Sequence, residues 1–274
     1  TCFLRNLKAT LLSAKKAIIV LMLFLKSTLF RLLRILGILV LVYFSMVFYL
    51  MLTERQQAYP RAITHQESRK HIESTSIPIH CVLPDKTILN GWKSKHQSKK
   101  SILYYPDSEE DAAQFLASTN RLDFEVIAFN YRGSAGNKGR ASQQTFLDDS
   151  KAILECAQQI NPNLILAGRG VGAIVASHRV TKDQLLILID PIPSIKEQVN
   201  EKYRFLRPKF LIRDTTKLKD LSTGNEKNIL LIQDKIEKAK FTQNSIQNHK
   251  KVKVFSRNGD NFVKVLQNAL NLYN

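Results

Sequence analysis

From Ile35 to Leu52 the chain reads ILGILVLVYFSMVFYLML, 18 residues without one charge. No other feature restricts the fold as strongly. A segment with no polar face cannot be the half-buried helix of a soluble domain. In hydrocarbon every backbone donor and acceptor must be bonded internally, which for a single segment leaves the helix. Eighteen residues lie near the lower end of the roughly 17–25 needed to span. Leu32 and Leu33 lengthen the run, with Arg31 and Arg34 reaching back to the headgroups. This predicts a transmembrane helix over about 32–52, with Tyr59 at the far interface. No A-x-A-like cleavage site follows, which argues against a signal peptide.

Upstream, Ala17–Leu25 is apolar but only nine residues long, and Lys26 ends it. It is either the first half of a hairpin or an interfacial helix over 15–26, edged by Lys15, Lys16 and Lys26; we read it as interfacial. Residues 1–52 hold no acidic residue and seven basic ones: Arg5, Lys8, Lys15, Lys16, Lys26, Arg31 and Arg34. Positive charge collects on the cytoplasmic side of a span. A single pass then places the globular part on the non-cytoplasmic side, whereas two passes return it to the cytoplasm. Residues 53–75 are polar, lack an apolar period and read as a linker to a globular domain over 76–274.

Residues 53–274 carry 34 basic against 23 acidic residues, a net +11 of the chain's +18. A cationic soluble surface accounts for this. A sharper reading is attraction to anionic lipid headgroups, where each basic residue near a bilayer contributes about 1 kcal/mol. There is no aromatic-interleaved basic motif and no zinc spacing, so no nucleic acid is expected as a partner. Cys81 and Cys156, the two cysteines of this part, show neither metal nor disulfide spacing and read as small core residues. No cofactor and no metal site is expected.

From Ser76 onward short apolar runs alternate with helical patterns. Ile79–Leu83 and Thr87–Trp92 read as an antiparallel pair around Pro84-Asp85-Lys86. Ser101–Tyr105, Phe124–Asn130, Leu164–Ala167, Leu185–Ile189, Ile229–Ile232 and Val252–Phe255 read as strands. Glu109–Ser118 (capped by Asp107 or Ser108), Phe146–Ile160, Val171–Arg179 and Phe262–Leu272 read as helices. This alternation predicts a mainly parallel sheet with helices on both faces. In such sheets, functional sites lie just past the carboxyl ends of the strands.

At one such end stands Gly168-Arg169-Gly170-Val171-Gly172, with a helix following. The frame is that of G-x-S-x-G, the sharp strand-to-helix turn that raises a nucleophile above a sheet. Glycine fits positions 168 and 172, where the turn leaves no room for side chains. The centre, Gly170, has no nucleophile. Alone, this turn could equally cradle a phosphate at a helix N-terminus.

The stretch from about Thr87 to the C-terminus resembles the α/β-hydrolase superfamily, in particular its membrane-anchored lipid and acyl-thioester hydrolases. Ala128–Gly136 (AFNYRGSAG) is similar to the family's F-D-Y-R-G-x-G turn, with Asn130 in the place of Asp, and Asp148 or Asp149 follows as in the family. Leu164–Ala176 (LILAGRGVGAIVA) matches the elbow except at the nucleophile, and the strand at Leu185–Ile189 leaves through a family-like exit ending at Ser194. The resemblance implies an α/β-hydrolase fold, preceded here by the transmembrane helix, with a reduced basic cap over about 194–220. It also implies where the remaining machinery would stand. The acid position falls on Glu237, with Asp234 as runner-up; the base position, normally His, holds Asp260; the oxyanion loop, normally H-G, holds Pro106-Asp107. A carboxylate is a poor base near neutral pH. At position 107 it would oppose a developing oxyanion.

The triad positions Gly170, Glu237 and Asp260 are thus degenerate, the oxyanion-loop position Asp107 is wrong for catalysis, and the elbow glycines Gly168 and Gly172 remain. Clustered carboxylates at 107, 237 and 260 could instead hold a cation, although degenerate sites also gather polar residues without purpose. His178 and Ser177 lie about two turns past the elbow and point elsewhere; His65, His71, His80, His96 and His249 show no pairing. The expectation is a non-catalytic, membrane-anchored homologue with a binding or scaffolding role toward lipid or a protein partner. The alternative is an active hydrolase of acyl esters, thioesters or lipids with a non-standard constellation.

Overall fold

A computed structural model of the chain describes residues 2–59, 61–181, 184–206, 212, 215–219, 228–233, 252–256 and 262–272. It divides into two compact units at Leu52/Thr53.

The first unit is helical throughout. α1 runs unbroken over Cys2–Ala58, and within it Leu21–Thr53 is long and apolar enough to cross a membrane. The segments read separately at 15–26 and 32–52 therefore lie on one helix. The cause is local: no Pro or Gly lies between Ala17 and Arg34. Ser27 Oγ and Thr28 Oγ1 bond back to the Phe24 carbonyl, at 3.0 and 2.9 Å, instead of opening the helix. Leu36, Phe44 and Phe48 stand exposed, as side chains facing lipid would be.

The second unit is built on an eight-stranded sheet: β1 Ser76–Val82, β2 Ile88–Ser94, β3 Ser101–Tyr105, β4 Glu125–Phe129, β5 Leu164–Arg169, β6 Leu186–Ile189, β7 Ile229–Gln233 and β8 Val252–Ser256. Their spatial order is β1-β2-β4-β3-β5-β6-β7-β8. The first two strands are an antiparallel hairpin whose β2 pairs antiparallel with β4; every later pairing is parallel. The central strands are apolar on both faces because both faces are covered. Leu103, Ile127, Leu166, Leu188 and Leu231 pack with α4 (Gln143–Ile160) and α5 (Val171–Arg179). Ile102, Val126, Ile165, Ile187 and Ile232 pack with α3 (Ala112–Ser118) and α7 (Phe262–Asn271).

Three details differ from the sequence reading, and a fourth adds to it. α3 is capped by Asp111, not Asp107 or Ser108, through a capping box with Gln114. The cap region opens with a helix, α6 (Ile195–Lys202), capped by Ser194. Residues 53–75 do not form a free linker: they contain the end of α1, a second helix α2 (Gln66–Ile72), and Tyr59, which is buried edge-on against Phe146 instead of marking an interface. Finally, Cys81 and Cys156 are not separate core residues. They form a disulfide joining β1 to α4 across 75 residues of sequence.

Candidate functional site

The site forms where β3, β4, β5 and β6 end together. Tyr105 pairs with Gly168 in the β3–β5 ladder, and Arg169 pairs with Ile189 of β6, so the next residues, Pro106, Gly170 and Asp190, emerge side by side. Gly170 has φ 52° and ψ −113°. This is the strained turn of a nucleophile elbow, which glycine adopts without cost. The flanking glycines are required by space. A Cβ on Gly168 would lie 2.2 Å from the Gly172 carbonyl oxygen, and one on Gly172 would lie 2.0 Å from that of Tyr105.

The centre of the elbow is filled from another element. The Asp107 carboxylate, on the loop after β3, lies where a side chain on Gly170 would stand: a Cβ there would meet its Oδ1 at 2.2 Å and its Oδ2 at 2.6 Å. Oδ1 accepts hydrogen bonds from the backbone N–H of Val171 at 3.0 Å and of Ser108 at 2.7 Å. Val171 follows the nucleophile position, and its N–H is one of the two donors from which this turn builds an oxyanion hole. Asp107 thus sits inside the elbow itself, with Oδ1 on the N–H groups of Val171 and Ser108.

A polar network backs the plug. Glu110 Oε2 accepts from the Tyr104 hydroxyl at 2.6 Å and from the Asp107 N–H at 3.1 Å. Burial pushes the Glu110 carboxyl above its ordinary range, despite the opposing hydrogen bonds from Tyr104 and Asp107. Arg169 lies 3.6 Å from Glu110 and 3.9 Å from Asp190. Asp190 holds a positive φ of 42° as the chain leaves β6. The Tyr104 hydroxyl is buried and stays neutral, its pKa raised by desolvation and then by Glu110.

The neighbouring Tyr131-Arg132-Gly133 turn is structural. Arg132 donates two bonds to Asp149, both at 2.9 Å, and one to Asp85 at 2.6 Å. Asp148, by contrast, accepts from Gln144 of its own helix. The Arg132 bond is the chief cause that lowers the Asp85 carboxyl to about 2. Asn130, standing where Asp was expected, accepts from the Ala112 N–H and donates to Asp111.

Of the anticipated site residues, the structure brings Asp107, Gly168, Gly170 and Gly172 together. Glu237, its runner-up Asp234, and Asp260 lie outside the described residues. His178 faces away, with Nε2 3.0 Å from the Lys217 carbonyl oxygen, and Ser177 is buried, bonded to Ile174 and Lys219. Among the described residues no group of three or more His, Cys, Asp or Glu is placed to hold a metal ion. A groove of about 550 Å³ lies elsewhere, between α3 and α7, lined by His71, Arg121, Lys264 and Gln267 among others. Sequence reading missed Glu110, Tyr104 and Arg169; the signal available for Tyr104 and Arg169 was their position at strand ends beside the elbow, and Glu110 stands on the loop that follows β3.

This topology and elbow define an α/β-hydrolase fold, and the chain has it. An esterase from Pyrococcus furiosus superposes with a TM-score of 0.60 at 15% identity, over 78% of this chain and 96% of that one. An α/β hydrolase from Vibrio vulnificus superposes with a TM-score of 0.54 at 19% identity, over 79% and 86%. At these identities the likeness concerns the fold and leaves the reaction open. No protein-family model matches the sequence, and no curated protein does.

Proposed function

We propose that this chain is a membrane-anchored, non-catalytic homologue of the α/β hydrolases, with a binding or scaffolding role. The observation that carries this reading is the Asp107 carboxylate seated in the elbow on the N–H groups of Val171 and Ser108. A nucleophile is absent at Gly170, and an anion already occupies the donors that would stabilise a tetrahedral intermediate. Removing one such donor from a working enzyme costs about 2.7–4 kcal/mol of barrier lowering. Here one bond from each of two donors is committed to the protein itself.

Three features support the anchor and its orientation. The apolar run Leu21–Thr53 has the length to span. Seven basic residues and no acidic ones lie in residues 1–52, which favours a cytoplasmic start and a non-cytoplasmic domain. The Cys81–Cys156 disulfide suits an oxidising compartment. The surplus of positive charge on residues 53–274 suits anionic headgroups or an acidic protein as partner.

The test is a fluorophosphonate probe applied to the full chain in membranes. No serine is expected to react. Stoichiometric labelling of any serine between residues 53 and 274 would overturn the reading in favour of an active esterase, lipase or thioesterase.

A further inference from the structure

The loop that carries Asp107 is held in place by the segment that follows α1. Arg61 N–H donates to the Ser108 carbonyl at 2.8 Å. His65 N–H and Arg69 Nε donate to Asp111 Oδ2 at 2.9 and 3.0 Å. Arg69 Nη2 continues to the Ala135 carbonyl at 2.8 Å. Ala62 bonds the same turn twice: its N–H donates to Ser134 Oγ at 2.9 Å, and its carbonyl accepts from the Ala135 N–H at 2.7 Å. Residues 61–69 thus stitch the loop after β3 to the loop after β4, directly beside the elbow.

We propose that the segment 61–72 is a latch, and that the seat of Asp107 in the elbow depends on it. This rests on the reading of Asp107 given above. The central joint is Asp111, whose side chain has no solvent exposure. Its Oδ1 accepts from Ala113 N–H and Asn130 Nδ2; its Oδ2 accepts only from the latch, through His65 and Arg69, among the described residues. With the latch withdrawn, a buried carboxylate oxygen is left without donors, a strongly unfavourable state. The start of α3 and the loop before it must then open to hydrate it. That loop is residues 106–110, with Asp107 at its centre. The loop is also tied by Val171 to Asp107, by the Tyr131 hydroxyl to the Pro106 carbonyl at 3.1 Å, by Tyr104 and Arg169 to Glu110, and from α6 by Gln198 to Ser108 Oγ at 3.1 Å and an exposed pair, Lys202 to Glu109 at 2.7 Å. The latch follows the apolar helix without interruption in the chain. A partner that binds residues 61–72 would act on the loop through Arg61 and Ala62.

The Val171 amide reports the seat. As the first residue of α5 it has no intrahelical acceptor, so its protection from hydrogen exchange derives from Asp107. In the full chain in lipid nanodiscs, Arg69→Ala is expected to speed exchange at Val171 and Ser108 by about tenfold or more, as loss of charge-assisted bonds to a buried carboxylate requires. Leu166 and Ile187, in the central sheet, should not change. Unchanged exchange at Val171, or a uniform rise across the sheet, would overturn the latch. Should Arg69→Ala not fold, Ser134→Ala removes only the acceptor for Ala62. It is expected to give a smaller rise at the same two amides, and no rise counts against the latch. The two proposals fail separately. A serine labelled by fluorophosphonate sinks the non-catalytic reading and leaves the exchange result standing.

Discussion

At the scale of the residue, Gly170 and Asp107 form one unit. A serine at 170 would need its Cβ in the space of the Asp107 carboxylate, on a backbone whose positive φ disfavours any side chain. Gly170→Ser is therefore expected to destabilise the fold by about 1–3 kcal/mol, and Asp107→Ala should recover part of that loss. Denaturant unfolding of both single variants and the double variant reads the coupling directly. Strictly additive effects would mean that the carboxylate does not sit at the elbow. The elbow frame itself was legible in the sequence, because glycines at 168 and 172 answer a local lack of space. The plug was not. The sequence shows a carboxylate after a strand; its approach to Val171 spans 64 residues.

Among the elements, strands were easier to read than helices. Leu164 and Ile229 open strands in the structure where the apolar runs begin, because a strand buried on both faces needs little beyond continuous apolar character. α2 (QESRKHI) and α6 (IKEQVNEK) have polar sequences and lack a clear apolar period; tertiary contacts hold helices this short. The cap of α3 was misplaced because Asp107, Ser108 and Asp111 are all good cap residues, and only Asp111 has its side chain turned to the Ala113 N–H. The β1–α4 pairing of Cys81 with Cys156 belongs to this scale too. A disulfide that closes a loop of this size typically contributes about 2–4 kcal/mol. The melting temperature should fall on adding reductant, and Cys81→Ser should match the reduced protein. Equal melting with and without reductant, with two free thiols titrating in both, would show that the pair is not bonded.

At the scale of the whole molecule, the boundary at Leu52/Thr53 coincides with the point where acidic residues first enter the chain. In sealed vesicles carrying the full chain with its cytoplasmic face outward, added protease is expected to spare residues 59–274 until detergent is present. Digestion of that part without detergent would place it in the cytoplasm and remove the redox argument for the disulfide's compartment. The long apolar helix, the α/β alternation and the absence of a nucleophile at Gly170 could all be read from the chain directly. Each depends on period, on composition, or on the room around a few consecutive residues. The occupant of the elbow, the partner of Cys81 and the packing of residues 59–72 required the folded molecule. Each joins residues 42 to 87 positions apart, and such contacts exist only after the sheet has brought its strand ends together.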